Sequence, residues 1–267
     1  MGAAMCASRD RAYGCVVEDA GVVEAGDGRD DDVRGRAIVG GGVGGRARGM
    51  TLAETTCARA VGTATAVMAT MVETSARDAL ARRAAMTTAS GERAVDASAY
   101  AFEFYAGARE MSEEDREWCF DVTRRNVREA YERAWGWDAV EKRRELNNHA
   151  ARFILAREVR SGERAAFVHF RFEREDEEVD APVGYVYELQ CEPKHQRRAL
   201  GETLVCVVEA VSKRLGMHAV VLTVLKVNVG AYAFYTKRMK YEIDDLSPDE
   251  SLDEGSAHYL ILSKRFV

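Results

Sequence analysis

The stretch from Val183 to Leu225 reads VGYVYELQC EPKHQRRAL GETLVCVVEAVSKRLG MHAVVLTVL, and its organisation decides the fold. Val183 to Cys191 is predicted as a strand, and Glu192-Pro193-Lys194 leads from it towards a helix over Gly201 to Leu215. Leu204, Val207, Val208, Val211 and Leu215 form the apolar stripe of that helix, and Gly216 ends it. His218 to Leu225 is a near-continuous apolar run suited to the middle of a sheet. Strand, helix and strand in this order make one β-α-β crossover.

Outward from this unit the chain keeps the pattern of a packed α/β (α+β) domain, a central mixed, twisted sheet flanked by helices. Upstream, Ser112-Glu113-Glu114-Asp115 starts a helix in capping-box style, with an acid three residues after the cap. Cys119, Val122, Val127 and Ala130 share one face of it, flanked by Trp118 and Tyr131. Arg152 to Val159 and Arg164 to Glu173 read as strands joined at Ser161-Gly162. In the second, Ala166, Val168, Phe170 and Phe172 alternate with His169, Arg171 and Glu173. Downstream, Asn228 to Met239 reads as a helix, and Tyr241 to Ile243 and His258 to Phe266 as the last strands. There is no internal repeat.

Composition limits what else the 267 residues can be. A net charge of −6 gives no general case for nucleic-acid binding. No apolar run approaches the ~20 residues that a membrane-spanning helix needs. The six cysteines, Cys6, Cys15, Cys57, Cys119, Cys191 and Cys206, are scattered without a Cys-x-x-Cys pair or a His cluster. That argues against a disulfide framework and a zinc site, so no metal is expected. Residues 1–95 read as a low-complexity extension, disordered or partly helical, and 96–267 as the folded domain. Gly40-Gly41-Gly42-Val43-Gly44-Gly45 has too few side chains to offset the entropy of ordering. Thr51 to Ser90 can hold a helix around Glu73 to Ala85 but shows no strong apolar stripe. No secretory signal opens the sequence, and Met50 or a later Met is an alternative start.

Between the crossover strand and its helix lies Gln196-Arg197-Arg198-Ala199-Leu200-Gly201. Small residues at Ala199 and Gly201 let a ligand approach the backbone, and the exposed N–H groups of a helix start favour an anion. Arg197 and Arg198 add charge suited to a pyrophosphate. Taken alone, the turn equally fits a basic helix cap at the surface.

With its flanking strand and helix, the turn resembles the acetyl-CoA turn of the GNAT acetyltransferases, Arg/Gln-x-x-Gly-x-Gly/Ala, with Ala199 in place of the first Gly. Asn228, Ala231 and Tyr235 stand at the spacing of that family's second cluster. Trp135-Gly136-Trp137, Phe170-Arg171-Phe172, Tyr185-Val186-Tyr187-Glu188-Leu189-Gln190, Leu222-Thr223-Val224, Gly230-Ala231-Tyr232 and Tyr241-Glu242-Ile243-Asp244-Asp245 are more specific. They look like the NatD-type N-alpha-acetyltransferases, over about Tyr100 to Phe266. The resemblance implies acetyl-CoA as co-substrate and transfer to the N-terminal amine of core histones whose tails begin Ser-Gly-Arg-Gly. It also implies action without an auxiliary subunit, in nucleus and cytoplasm. For the co-substrate it points to Leu189, Gln190, Cys191, Arg197, Arg198, Ala199, Leu200, Gly201, Glu202, Thr223 and Asn228. For the peptide it points to Tyr131, Trp135, Glu173, Glu175, Tyr185, Tyr187 and Tyr259.

Attack of a neutral amine on a thioester needs rigid positioning, a route for the ammonium proton and stabilisation of the developing oxyanion. Glu188 is the expected base, directly or through water, with Tyr187 beside it and Tyr235 as a phenol able to protonate the leaving thiolate. Backbone groups of Leu189, Gln190 and Cys191 would bind the pantetheine arm as an added strand does. Cys191 has no His spaced to activate it and reads as a small apolar contact. A regular strand would put Glu188 on the opposite face from Tyr185 and Tyr187, so a bulge near Tyr187 is predicted. If Ala199 takes a positive φ, the turn carries a cost of order 1 kcal/mol; if negative, none. Six acids between Glu173 and Asp180 would lie near the mouth and attract a basic tail. A GNAT enzyme acting on a lysine or a small amine, and a catalytically silent acyl-CoA-binding module, are the alternatives.

Overall fold

The computed structural model describes residues 50–90, 99–175, 180–248 and 257–266. The glycine-rich run and most of the acidic run, residues 176–179, lie outside them. The order of elements is α1 (Leu52–Val61), α2 (Thr65–Ser90), β1 (Tyr100–Tyr105), α3 (Glu113–Ala134), α4 (Ala139–Leu146), β2 (Arg152–Glu158), β3 (Arg164–Arg174) and β4 (Pro182–Cys191). Then follow α5 (Leu200–Arg214), β5 (Ala219–Leu225), α6 (Val229–Ala233) running into a π turn (Phe234–Arg238), β6 (Glu242–Ile243) and β7 (Tyr259–Arg265).

The strands form one mixed sheet in the order β1-β2-β3-β4-β5-β7-β6. Among the described strands only β4 and β5 run parallel, joined by the α5 crossover, as the sequence requires. Both faces are covered. On one, Ile154, Val168, Phe170, Val186, Leu222 and Leu262 pack with the α5 stripe of Leu204, Val207, Val208 and Val211. On the other, Phe153, Leu155 and Phe167 pack with Cys119, Phe120 and Val122 of α3. The polar members of β3 are therefore buried too, with His169 at 0%, Arg171 at 8% and Glu173 at 5% exposure. Their alternation marks a covered polar face, the one that carries the site.

Several elements depart from the sequence reading, although the helix expected around Glu73 to Ala85 lies within α2. Residues expected as an extension form α1 and α2, and Met68, Met71, Val72 and Ala76 of α2 are buried in the main core. The buried set 68, 71, 72, 76, 79 and 80 does follow helical spacing. It escapes notice because alanines and threonines blur the contrast with the other faces. The packed unit thus begins near residue 52, and its core includes part of the stretch assigned to the extension. Tyr100–Tyr105, read only as the point where composition changes, is an edge strand paired with β2 from Tyr100↔Glu158 to Tyr105↔Phe153.

At the start of α3, Ser112 Oγ accepts from the Asp115 backbone N–H at 3.1 Å. Asp115 does not complete a capping box; its carboxylate accepts from Arg157 at 2.7 Å through both oxygens and also from Arg164. No described helix is long and apolar enough to cross a membrane.

Candidate active site

The register between β3 and β4 shifts between His169, which faces Glu188, and Phe170, which faces Val186. Tyr187 is the extra residue of a bulge, where it was expected. Because one residue is added, Tyr185, Tyr187, Glu188 and Gln190 all project from the same face. The parallel pairing of β4 with β5 runs only from Val183↔Ala219 to Val186↔Leu222. Beyond it the strands part, and β5 continues along β7 up to Leu225↔Tyr259. From Tyr187 to Cys191, β4 has no strand partner on its β5 side among the described residues, which leaves a slot where an extended ligand can add as a strand does.

The pyrophosphate turn stands at the end of this slot. Ala199 is the N-cap of α5 at φ 61° and offers no side-chain cap, so the first-turn N–H groups of a 15-residue helix are left for an anion. Arg197 is also left-handed, at φ 62°. A Cβ added at Gly201 would meet only Leu189 and Phe234, each at an ordinary 3.7 Å. The protein's own packing does not demand a glycine there, whereas the close approach of a ligand would. Arg198 donates to the Tyr100 hydroxyl at 3.3 Å, and that hydroxyl also meets His195 Nδ1 at 3.0 Å. The edge strand β1 thereby steadies the turn. These residues fit the acetyl-CoA expected from the sequence.

Three expected co-substrate contacts have other partners. Glu202 accepts from Arg238 at 2.9 and 3.0 Å. Asn228 Oδ1 caps α6 by accepting from the Ala231 N–H at 3.1 Å. The Thr223 hydroxyl shares a short hydrogen bond with that of Tyr185. Cys191 is held by burial as a neutral thiol, its pKa pushed up to about 12, which agrees with a packing role.

Glu188 is 5% exposed, and donors occupy both its oxygens: Lys142 Nζ on Oε1 at 2.7 Å and Gln190 Nε2 on Oε2 at 2.7 Å. Asn126 of α3 in turn donates to Gln190 Oε1 at 3.1 Å. Lys142 also donates to Glu145 at 2.6 Å and to the Tyr131 hydroxyl at 3.2 Å. Burial works to strip the proton from Lys142, but the Glu188, Tyr131 and Glu145 oxygens outweigh it and hold the ammonium charged. Tyr235 belongs to the core on the opposite face of the sheet. Burial, then the Glu188 charge, pushes its phenol well above the ordinary range. Glu188 and Tyr235 thus flank the parted strands from opposite faces.

The expected peptide-binding aromatics do assemble. Tyr131 meets Trp135 edge-on at 5.6 Å, and Trp135 meets Tyr259 at 5.9 Å, linking the end of α3 to the start of β7. Tyr185 and Tyr187 lie 4.9 Å apart. The two acids fare differently. Glu173 is buried, accepts from the Tyr187 hydroxyl at 2.9 and 3.1 Å, and has its pKa raised to about 7, chiefly by burial. Glu175 does not reach the site: it is 1% exposed, and Arg265 donates to it at 3.1 and 3.4 Å.

Lys142 and the helix that carries it were absent from the sequence reading. A signal existed, since Asp138 followed by Glu141 is a helix-start pattern, and Asp138 does cap α4 through the N–H groups of Val140 and Glu141. No pattern would have turned the lysine inward.

Residues 110–241 match the family model described as the acetyltransferase (GNAT) family. Among solved structures the chain is similar to the PaiA N-acetyltransferase of Thermoplasma acidophilum in complex with coenzyme A, at 18% identity and a TM-score of 0.44 over 62% of this chain and 99% of that one. It is also similar to Arabidopsis thaliana NAA60 in complex with a bisubstrate analogue, at 15% identity and a TM-score of 0.44 over 62% and 98% of the two chains. The family match spans the slot, the turn and both candidate proton-handling groups, and the chain has the fold of the GNAT acetyltransferases, with acetyl-CoA as its co-substrate.

Proposed function

We propose that this acetyltransferase acts on the N-terminal α-amine of proteins, with Glu188 taking the amine proton. The observation that carries this reading is the pairing of Glu188 with the Lys142 ammonium at 2.7 Å. The ion pair fixes the carboxylate beside the slot, and an α-amine, whose pKa of about 8 leaves a usable neutral fraction at neutral pH, asks less of a base there than a lysine, whose pKa is about 10.4. The aromatic rim of Tyr131, Trp135 and Tyr259 suits a backbone entering end-on, where a long aliphatic side chain would need a narrow channel. The choice of histone tails beginning Ser-Gly-Arg-Gly, and action without an auxiliary subunit, rest on the resemblance carried by Trp135-Gly136-Trp137 and Tyr185 to Gln190. Of the two acids expected to meet the tail, Glu173 is engaged by the Tyr187 hydroxyl and Glu175 by Arg265.

In this reading the amine loses its proton to Glu188 as its nitrogen joins the acetyl carbon and the C–S bond breaks. The departing sulfur takes a proton from solvent. A phenol as reluctant to ionise as Tyr235 contributes a hydrogen bond to that sulfur, since full transfer to a thiolate would run uphill. Mass spectrometry of two peptides tests the substrate. One begins Ser-Gly-Arg-Gly with a free α-amine; the other has its α-amine blocked and its lysines free. Acetylation confined to the first is the expected result. Acetylated lysines on the second would move the chain to the lysine-directed reading, and binding of acetyl-CoA without transfer to either would leave a silent module or an unrelated amine substrate.

A further inference from the structure

The Lys142 ammonium spends every donor it has inside the protein. Its three protons point to Glu188 Oε1, Glu145 Oε1 and the Tyr131 hydroxyl at 2.7, 2.6 and 3.2 Å, and it lies 5.0 Å from the centre of the Tyr131 ring. Its side chain and that of Glu188 are each 5% exposed. A structural lysine on a short helix ordinarily keeps its head in water. Here α4 directs it into the polar face of the sheet, opposite the bulge that turns Glu188 onto that face. Taking two charges from water is costly, and an ion pair seldom repays it in stability alone.

We propose that Lys142 is a positioning residue of the acetyl transfer: through its ion pair it holds the Glu188 carboxylate fixed where the incoming amine must give up its proton. Lys142 keeps its own proton throughout, so the amine proton passes to Glu188, directly or through a water, and then to solvent. The proposal rests on the reading of Glu188 as the base. Other ionisable groups face Glu188 from each neighbouring element. These are Glu145 from α4, Tyr131 from α3, Tyr187 from β4 itself and Tyr235 from the π turn, together with His169 from β3, backed by Arg171. His169 is kept neutral, by burial first and then by the Arg171 and Lys142 charges. Lys142 is the cation in hydrogen-bond contact with Glu188, and without it two carboxylates, Glu188 and Glu145, share the site.

The test is the pH dependence of kcat/KM on a peptide with a free α-amine. In the wild-type chain the acid limb follows one deprotonation, that of the amine. In Lys142→Met, Glu188 becomes harder to ionise, so the limb gains a second deprotonation, and the loss at pH ~7 exceeds the loss at pH ~9 by about tenfold. Lys142→Arg keeps the single-proton limb. In a Glu188→Gln background, Lys142→Met adds no further loss, because its effect runs through the carboxylate. Equal loss at every pH, or losses that multiply in the double variant, would overturn the proposal. Should Lys142→Met lose its cooperative melting, Lys142→Met/Glu145→Gln removes the surplus charge, and its limb is read instead. If the wild-type chain acetylates lysines on the α-blocked peptide, the substrate reading falls, and the same series on that peptide still decides the role of Lys142.

Discussion

At the scale of single residues, the site contains side chains that are costly for the fold. Ala199 sits at φ 61°, a region that an L-residue with a Cβ avoids and glycine enters freely. Ala199→Gly is expected to raise stability by about 0.5–1 kcal/mol in urea denaturation while leaving the turn's shape unchanged. Glu173 offers a pH test. Its folded pKa of about 7 lies above the ordinary carboxylate value, so the folded state binds the extra proton. Stability from this group is therefore lost as pH rises from about 4.3, the unfolded value, through about 7. Glu173→Gln should melt above the wild type at pH ~8 and alongside it at pH ~4; a gap of the same size at both would refute the assignment.

At the scale of elements, the approach of α5 to the sheet sets where the pyrophosphate turn falls. A Cβ at Gly184 would lie 2.3 Å from Ser212 Oγ and 3.3 Å from its Cβ, so glycine is what lets helix and strand meet. Gly184→Ala is expected to cost about 1–3 kcal/mol and to weaken acetyl-CoA binding by displacing the helix start. Asp115 ties α3 to β2 and β3. Burial opposes its charge, but the Arg157 and Arg164 guanidiniums outweigh burial and hold its pKa down. Its contribution is present above about pH 3.9 and lost as pH falls through its folded value. Asp115→Asn should cost about 3 kcal/mol at pH 7, a difference that shrinks in acid titration. The crossover, the hairpin and the α5 stripe were legible because period and turn chemistry coincide there. The bulge was legible by a different route, since three site residues could share a face only if the strand gained one. The partners of Glu202, Thr223 and Glu175 were not, because ion pairs and hydroxyl contacts between distant elements leave no local pattern. Lys142 was hidden for the same reason.

At the scale of the whole molecule, the two N-terminal helices matter more than their composition suggests. Met68, Met71, Val72 and Ala76 cover the same sheet face as α5, so a chain beginning at residue 96 would leave that apolar surface bare. Such a truncation is expected to lose cooperative thermal unfolding and to aggregate, whereas one beginning at residue 50 keeps every helix described here. Light scattering and calorimetry on the two would decide it. The parting of β4 and β5 has a consequence outside catalysis. Where two central strands separate, the sheet lacks one rank of cross-strand bonds, and a bound acetyl-CoA arm supplies it only to the folded chain. Ligand at a hundred times its dissociation constant adds about 2.7 kcal/mol to the folded state. How long each copy survives proteolysis should therefore rise and fall with the supply of its own acetyl donor, so that scarcity thins out the enzyme as well as idling it.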